Sequence, residues 1–310
     1  MSQSTSLLYR IGARSGEWRN YWELCKPNVV MVMLITVVIG MLLARTQLPS
    51  LWLVLVANLG IGFCAASAAV VNHVVDRHID LKMVRTSQRP VATGKVEPAR
   101  ALAFAGLLGL VGMSVLLTWV NAVTAWLTLA SLLGYALIYT LFLKRATPQN
   151  IVIGGIAGAA PPLLGWTAVT GSIDGPALLL VLIIFAWTPP HFWALAVHRK
   201  DDYANAGIPM LPVTHGIGYT KIHILLYTLI LLSVSLLPFV TGMLGWLYLL
   251  AAVSLGAGFI GYSLLMLKAP GKEHAMATFK YSIIYLLALF VAMLMDHYLI
   301  AKPELYTGAL

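Results

Sequence analysis

Long apolar runs with almost no charged residue inside them recur along the whole chain. A helix needs about 20 such residues to cross a bilayer. The runs lack the polar–apolar alternation of the strands in a membrane barrel, so helices are the structure that satisfies their backbone groups in lipid. The sequence therefore predicts an all-α, multi-pass transmembrane helical bundle of about nine spans, at about residues 28–44, 51–75, 101–120, 122–143, 151–170, 176–197, 222–241, 245–267 and 281–300.

The composition supports a membrane protein. Of the 310 residues, 60% are hydrophobic and only 10% are charged, whereas a soluble domain carries about 25% charged residues. We expect residues 1–27 to form a cytoplasmic N-terminal arm, residues 28–300 a single transmembrane domain, and residues 301–310 a periplasmic tail. Aromatic residues in the arm, Trp18, Tyr21 and Trp22, suit the level of the lipid headgroups.

Positive charge is distributed unevenly between the two predicted sides of the membrane. With nine spans, every Lys and Arg except Arg45 and Lys302 lies on the side of the N-terminus. Because cytoplasmic loops are enriched in Lys and Arg, this predicts a cytoplasmic N-terminus and a periplasmic C-terminus in the bacterial cytoplasmic (inner) membrane. The net charge of +9 mostly reflects this asymmetry, and we expect no nucleic acid partner.

The second apolar run ends in three oxygen-bearing side chains, Asn72, Asp76 and Asp80, within VVNHVVDRHIDLKMVRTSQRP (residues 70–90). A spacing of four residues turns about 40° beyond a full revolution of a helix, so the three side chains line one face. Carboxylate and amide oxygens suit Mg²⁺, which takes one or two protein carboxylates and completes its shell with water and phosphate oxygens. The spacing therefore predicts a magnesium site.

Cationic side chains follow this acidic face directly. Lys82, Arg85 and Arg89 come after Asp80 within the same polar stretch. Guanidinium groups pair with phosphate through two parallel hydrogen bonds. Metal-binding acids beside phosphate-binding cations predict a bound diphosphate. The alternative is a helix end at the membrane interface, where Asp and Arg pair in water.

A second polar cluster, HRKDDYANAGIPMLP (residues 198–212), follows the sixth run on the same predicted side. Gly207, Pro209 and Pro212 are expected to break any helix, which predicts a loop over the cytoplasmic mouth of the bundle. Taken alone, such a segment fits an ordinary solvated loop. Because it lies on the same face as the first cluster, we interpret it as the second half of one site.

Both clusters carry a family resemblance. NHVVDRHIDLKMVRTSQRPVATGKV resembles the first aspartate motif of the UbiA-type intramembrane prenyltransferases, and its D-x-K-M-x-R-T-x-x-R-P pattern resembles the haem O synthase branch of that family. TPPHFWALAVHRKDDYANAGIPMLPV (residues 188–213) is similar to the second motif of that branch. The resemblance runs from about Trp22 to the last span, and the two long motifs are more specific than any short pattern.

The resemblance implies a bundle around a central cavity, where two facing motifs hold Mg²⁺ on the diphosphate of farnesyl diphosphate. By position, Asn72, Asp76 and Asp80 match the first motif, and Asp202 matches the last acid of the second. Many members of the family have a further acid four residues earlier, where this chain has His198. The implied acceptor is haem b in the lipid bilayer. Its vinyl group gains a farnesyl group and water, which makes haem o for terminal oxidases.

The expected roles divide into four groups. The expected catalytic residues are Asp76, Asp80, Asp202 and Lys200; the expected metal ligands are Asn72, Asp76, Asp80 and Asp202; the expected diphosphate-binding residues are Asn72, Lys82, Arg85, Arg89, Arg199, His198 and Tyr203; and the candidates for contact with haem are His191 and His73. A lone histidine in a helix also fits an ordinary hydrogen bond, so the role of both histidines stays open at this point.

Two other functions remain open. The first is the same fold with a different acceptor, such as an aromatic quinone precursor, against which the K-M-x-R-T and H-F-W-A-L patterns argue. The second is a membrane transporter or an oxidase subunit. A transporter would be expected to carry ionisable residues near the midplane of the bilayer, whereas the acids here collect on one predicted side. The oligomeric state is not indicated by the sequence.

Overall fold

The computed structural model describes residues 17–143 and 146–299. The whole predicted tail (residues 301–310), which contains Lys302, and residues 1–16 of the arm lie outside this part of the chain. The described residues are mainly helical and contain no β-strand. The helices are α1 Glu17–Leu24, α2 Pro27–Leu43, α3 Leu51–Asp80, α4 Pro98–Trp119, α5 Ala122–Leu133, a π-helix Gly134–Leu143, α6 Asn150–Ala159, α7 Pro161–Thr170, α8 Gly175–His198, α9 Lys200–Asn205, α10 Leu211–Thr214, α11 Gly216–Val240, α12 Trp246–Lys268 and α13 Ala275–Leu299.

The number of membrane spans agrees with the sequence-based prediction. Eight helical segments of the described chain are long and apolar enough to cross a bilayer, and α1 with α2 forms a ninth if this pair, bent by 44°, counts as one span. The bend lies at Lys26, which has a left-handed backbone (φ 48°), immediately before Pro27. Proline fits the first position of a helix but does not continue the preceding one, so the chain changes direction here.

Helix α3 is longer than the predicted span 51–75, because it continues to Asp80. Hydropathy ends the prediction at the first polar residues, but Asn72, Asp76 and Asp80 are all buried inside the bundle. Ser50 begins this helix as its N-cap, with its hydroxyl oxygen accepting the N–H of Leu53 at 3.2 Å. The spacing of four residues therefore lies within one continuous helix.

The predicted span 122–143 is one helical segment that changes from α5 to a π-helix at Gly134–Leu143. The hydroxyl of Thr140 donates to the carbonyl of Tyr135 five residues earlier, at 2.8 Å, which matches the wider turn. The rings of Tyr135 and Tyr139 stack with centroids 5.5 Å apart. π-helical turns are rare and frequently occur at functional sites, and this one packs against α3.

The helices form a closed bundle, in which the last helix packs against α2. Helix α3 packs against α2 and α4, α8 packs against α6, α11 and α13, and α13 returns to α2. At this closure the hydroxyl of Tyr298 donates to the carbonyl of Leu42 at 2.6 Å. Helices α2 and α7 approach so closely that a Cβ on Gly165 would meet the carbonyl of Val37. Small residues permit such contacts between membrane helices.

Candidate active site

A chain of polar side chains surrounds the buried end of α3. The amide nitrogen of Asn72 donates to Oδ2 of Asp76 at 2.8 Å. The oxygen of the same amide accepts a hydrogen bond from Nζ of Lys26 at 2.5 Å. Asp76 has only 1% of its surface exposed. Asn72 is thus oriented from both ends, and its nitrogen points its donors at the carboxylate.

Asp80 is held by a cation from the segment that follows its own helix. Nη1 of Arg89 lies 2.8 Å and 2.9 Å from the two carboxylate oxygens of Asp80. The hydroxyl of Thr86 donates to the backbone carbonyl of Asp80 at 3.0 Å, which fixes the turn after the helix. Arg89 uses a single nitrogen for this pair, and a guanidinium has further N–H donors for another anion.

Two tyrosines of the π-helix lie near these acids. Tyr135 is within electrostatic range of Asp76 and Arg89, and Tyr139 is within range of Asp76 and Tyr203. The π-helix packs against α3 and α6, and the ring of Tyr139 lies against Gly154 of α6. Two aromatic hydroxyl groups therefore lie near the acids and cations of the polar cluster.

The second polar segment meets the first through Arg85 and Tyr203. Nη2 of Arg85 lies 3.5 Å from the hydroxyl of Tyr203, and its guanidinium carbon lies 5.7 Å from the centre of that ring. Tyr203 is buried, with 8% of its surface exposed. A cleft of about 330 Å³ opens beside this contact, and it is lined by Val84, Arg85, His198, Arg199, Asp201 and Asp202.

The loop predicted for residues 198–212 is partly wrong. Residues Lys200–Asn205 form the short helix α9, and Leu211–Thr214 form α10. Asp201 and Asp202 lie in the first turn of α9, where acidic side chains suit the free N–H groups of a helix. Gly207 has a left-handed backbone (φ 68°) and ends the helix, as glycine commonly does. The Gly and Pro signals thus mark boundaries between short helices.

The two neighbouring acids of α9 differ in their surroundings. Nζ of Lys272, in the segment before α13, donates to Oδ2 of Asp201 at 2.5 Å. This ammonium group lowers the pKa of Asp201 below its usual value, first through the hydrogen bond and then through its charge. Asp202 carries no ion pair in the described part of the chain. Asp202 is thus the acid of this pair that is available to a ligand.

The other predicted residues lie around this junction. Lys82 is exposed directly after α3, Lys200 begins α9, and His198 and Arg199 border the cleft next to Arg85. The structure brings the cations of the first segment and those of the second to one end of the bundle. Cations from two segments and acids from two helices have the chemistry to hold a diphosphate together with a metal ion.

The two histidines differ in what they contact. Nδ1 of His191 lies 2.7 Å from the hydroxyl oxygen of Ser282, and its ring stacks on Trp187 and Phe279. Both ring nitrogens of His73 are enclosed and have no hydrogen-bond partner among the described residues. One candidate is therefore fixed by its neighbours, and the other is buried beside Asn72 in the polar cluster.

The donors of the site fit Mg²⁺. Within the described residues, no three side chains of His, Cys, Asp or Glu come together as a complete metal site. A magnesium ion bound with a diphosphate does not need one, because it takes one or two carboxylates and fills its shell with phosphate and water oxygens. Asp76 and Asp80, on one helix, and Asp202, across the junction, are carboxylates of the required kind.

Several residues of the site were not among the predicted ones. Lys26 is hydrogen-bonded to Asn72, 46 residues apart in sequence, and Ser282 is hydrogen-bonded to His191, 91 residues apart. Tyr135 and Tyr139 lie in an apolar run whose pattern predicts only a span. For Lys26, the one signal in the sequence is its position between the aromatic residues of the arm and Pro27, where the first span begins.

The sequence is similar to known proteins over most of its length. The sequence matches the UbiA prenyltransferase family over residues 33–295. It is 66% identical to the protoheme IX farnesyltransferase of Teredinibacter turnerae, over 92% of each chain. It is 66% identical to that of Saccharophagus degradans, over 91% of this chain and 93% of the relative. It is 63% identical to protoheme IX farnesyltransferase 1 of Pseudomonas putida GB-1, over 94% and 98%.

Solved structures share the fold. One, from work on digeranylgeranylglyceryl phosphate synthase, has a TM-score of 0.78 at 21% identity and covers 91% of this chain and 99% of its own. A UbiA homologue from Archaeoglobus fulgidus, bound to GPP and Mg²⁺, has a TM-score of 0.61 at 15% identity and covers 88% and 99%. With the helical bundle, the two polar clusters and the matched residues taken together, this chain belongs to the UbiA prenyltransferase family.

Proposed function

We propose that this chain transfers a farnesyl group from farnesyl diphosphate to a vinyl group of haem b, with addition of water, to give haem o. The observation that supports this most is the contact of Arg85 with Tyr203, which joins the two polar clusters at one end of an apolar bundle. The acceptor assignment rests on relatives that are named protoheme IX farnesyltransferase and match nearly the full length.

The cations of the site would bind the diphosphate and stabilise it as it leaves. An allylic diphosphate ionises when fixed donors neutralise the charge that develops on the leaving group. Arg85 and Arg199 border the same cleft, while Arg89 is held by Asp80 with donors to spare. Lys82 and Lys200 add positive charge at this end of the bundle, where His198 and Tyr203 complete the binding surface.

Mg²⁺ would be held by Asp76, Asp80 and Asp202, with the amide oxygen of Asn72 as a further donor. The bound ion supplies charge neutralisation at the diphosphate oxygens. Lys26 donates to that amide oxygen and so holds Asn72 in its hydrogen bond to Asp76 before the ion and the diphosphate bind. The structure of a family homologue bound to GPP and Mg²⁺ supports this assignment.

The apolar bundle would protect the farnesyl cation. The C1–O bond of the diphosphate breaks, and C1 bonds to the terminal vinyl carbon, which leaves a cation on the carbon next to the porphyrin ring. Water adds to that carbon and loses a proton, so the product gains a farnesyl group and a hydroxyl group. Exclusion of water before the first bond forms prevents simple hydrolysis.

Two other functions fit the observations less well. A prenyltransferase for an aromatic quinone precursor would share the bundle and the diphosphate site, but the K-M-x-R-T and H-F-W-A-L patterns and the named relatives favour haem. A transporter would place its ionisable groups near the middle of its spans. Here Asp76 and Asp80 lie at the end of α3, next to the segment that contains Arg85.

The orientation belongs to the same proposal. The N-terminus lies in the cytoplasm, residues 28–300 form one prenyltransferase domain, and the C-terminus lies in the periplasm. Farnesyl diphosphate, a charged molecule made in water, then reaches the polar clusters from the cytoplasm. The excess of Lys and Arg on this side supports the assignment.

A product assay tests the proposed function. Purified protein with haem b, farnesyl diphosphate and Mg²⁺ should give a porphyrin that has gained a farnesyl group and one water, as measured by mass spectrometry. In ¹⁸O-labelled water the product should carry the label. Inert haem b together with prenylated 4-hydroxybenzoate would overturn the acceptor and favour the quinone-precursor alternative.

A further inference from the structure

Ser282 ties two aromatic side chains of α8 to α13. Nδ1 of His191 lies 2.7 Å from its hydroxyl oxygen, and Nε1 of Trp187 donates to its backbone carbonyl at 2.7 Å. Trp187 and His191 are one turn apart on α8, and their rings stack with centroids 4.1 Å apart. One residue of α13 therefore fixes both rings of this pair.

The hydrogen bonds of Ser282 determine which nitrogen of His191 carries the proton. The hydroxyl of Ser282 donates its only proton to the carbonyl of Phe279 at 2.6 Å. Its oxygen can then only accept from His191, so Nδ1 is the protonated nitrogen. In a neutral imidazole the other nitrogen, Nε2, consequently keeps its lone pair.

The ring of His191 is also fixed in orientation. It lies between the rings of Trp187 and Phe279, at centroid distances of 4.1 Å and 4.6 Å and with interplanar angles of 21° and 29°. Phe192 meets it edge-on at 4.9 Å. A ring stacked on both faces and hydrogen-bonded at one edge cannot turn about its χ2 angle without breaking these contacts.

The lone-pair nitrogen has no partner in the protein. The described residues offer no hydrogen bond to Nε2 of His191, and this nitrogen is not sealed from its surroundings, unlike both nitrogens of His73. His191 is 7% exposed, and Phe192 beside it is 40% exposed. A ligand can thus approach the free nitrogen along an aromatic surface, which suits a flat apolar molecule.

We infer that His191 binds the iron of the haem acceptor through Nε2, and that Ser282 is the residue that positions it. The inference rests on the proposed function, because it takes haem as the acceptor. A histidine that binds a metal almost always donates its other N–H to an oxygen, which fixes the tautomer and raises the basicity of the ligand. His191 has such an arrangement, because its Nδ1–H donates to the hydroxyl oxygen of Ser282, which in turn donates to the carbonyl of Phe279.

The position along α8 suits the reaction. His191 precedes His198 by seven residues, which is about 10 Å along a helix. The iron would then lie in the apolar part of the bundle while the diphosphate stays at the polar end. A vinyl group is at the edge of the porphyrin, so a haem fixed by its iron can present that edge toward the polar end. His73 is a poorer candidate, because both of its ring nitrogens are enclosed.

Absorption and resonance Raman spectra of the purified full-length protein with haem b test the inference. The wild type should show the Soret band and the iron–nitrogen stretch of histidine-ligated haem. His191→Gly should lose both signatures, and added imidazole should restore them. Ser282→Ala should weaken haem binding about 10- to 100-fold and shift the iron–nitrogen stretch, as for loss of a partner that orients a metal ligand.

His297→Gln is the matched control. His297 is also a buried histidine of the bundle, hydrogen-bonded to the carbonyl of Arg45 and edge-on to Tyr298. Its spectrum with haem should equal that of the wild type. A histidine-ligated spectrum that persists in His191→Gly, in a protein that still folds and turns over haem, would overturn the inference alone. A wild type that makes no farnesylated haem would instead overturn the proposed function.

Discussion

The guanidinium of Arg85 lies over the ring of Tyr203, 5.7 Å from its centre, although 118 residues separate the two in sequence. This contact joins the segment after α3 to the short helix α9. It brings the cations of one segment to the acids of the other. A diphosphate bound in the cleft between the two segments would therefore contact residues of both.

The first prediction concerns this contact. Arg85→Lys should weaken farnesyl diphosphate binding, because lysine has neither the planar fork nor the stacking surface of arginine. Tyr203→Leu should weaken it through loss of the ring face, and an exposed cation–π contact contributes about 0.5–1 kcal/mol. In a double-mutant cycle on KM for farnesyl diphosphate, the two effects should be less than additive. Full additivity would mean that Arg85 and Tyr203 act independently.

The second prediction concerns the acids of α3. Asp76→Asn and Asp80→Asn keep the shape of the side chain and remove a charge that Mg²⁺ needs. We expect each to lower kcat about 10²-fold or more, as for loss of a major electrostatic group. Arg45→Gln, at the opposite end of the bundle, serves as the control and should retain activity. Turnover that survives both Asp changes and is insensitive to EDTA would rule out metal-assisted ionisation at this site.

The third prediction concerns topology. Reporter fusions at Lys144 and Gly308, both outside the described residues, should read cytoplasm and periplasm respectively. The helices between these positions form five spans of the predicted nine, and an odd number places the two points on opposite sides. The same compartment at both positions would require an even number of spans and contradict the proposed orientation.

The spans could be predicted because the bilayer permits few structures. A long apolar run must satisfy its backbone groups internally, so hydropathy alone indicates helices. The end of α3 could not be found in this way. Asp76 and Asp80 look like the start of a polar loop, yet they are buried because the bundle encloses them in a site. Local patterns do not distinguish a solvated charge from an enclosed one.

The contacts that organise the site depend on the tertiary fold. The spacing of Asn72, Asp76 and Asp80 indicated their shared face, since that relation is local to one helix. The hydrogen bonds of Lys26 to Asn72 and of His191 to Ser282 link separate helices. A single sequence contains no local signal for such pairs. The π-helix around Tyr135 likewise packs against α3 and α6, which are separate from it in sequence.

The fourth prediction separates the adjacent acids Asp201 and Asp202. Asp202→Asn should lower kcat about 10²-fold, because Asp202 is the acid available to the metal ion that binds the diphosphate. Asp201→Asn should leave kcat unchanged, because Asp201 is exposed and paired with Lys272.

Lys272 lowers the pKa of Asp201, so their ion pair is complete at neutral pH. It is lost only as the pH falls through that lowered pKa, below the usual value of about 4. The acid limb of the kcat profile above pH 5 should therefore be the same in Asp201→Asn and the wild type. If Asp201→Asn abolished activity while Asp202→Asn did not, the assignment of the second motif would be off by one residue.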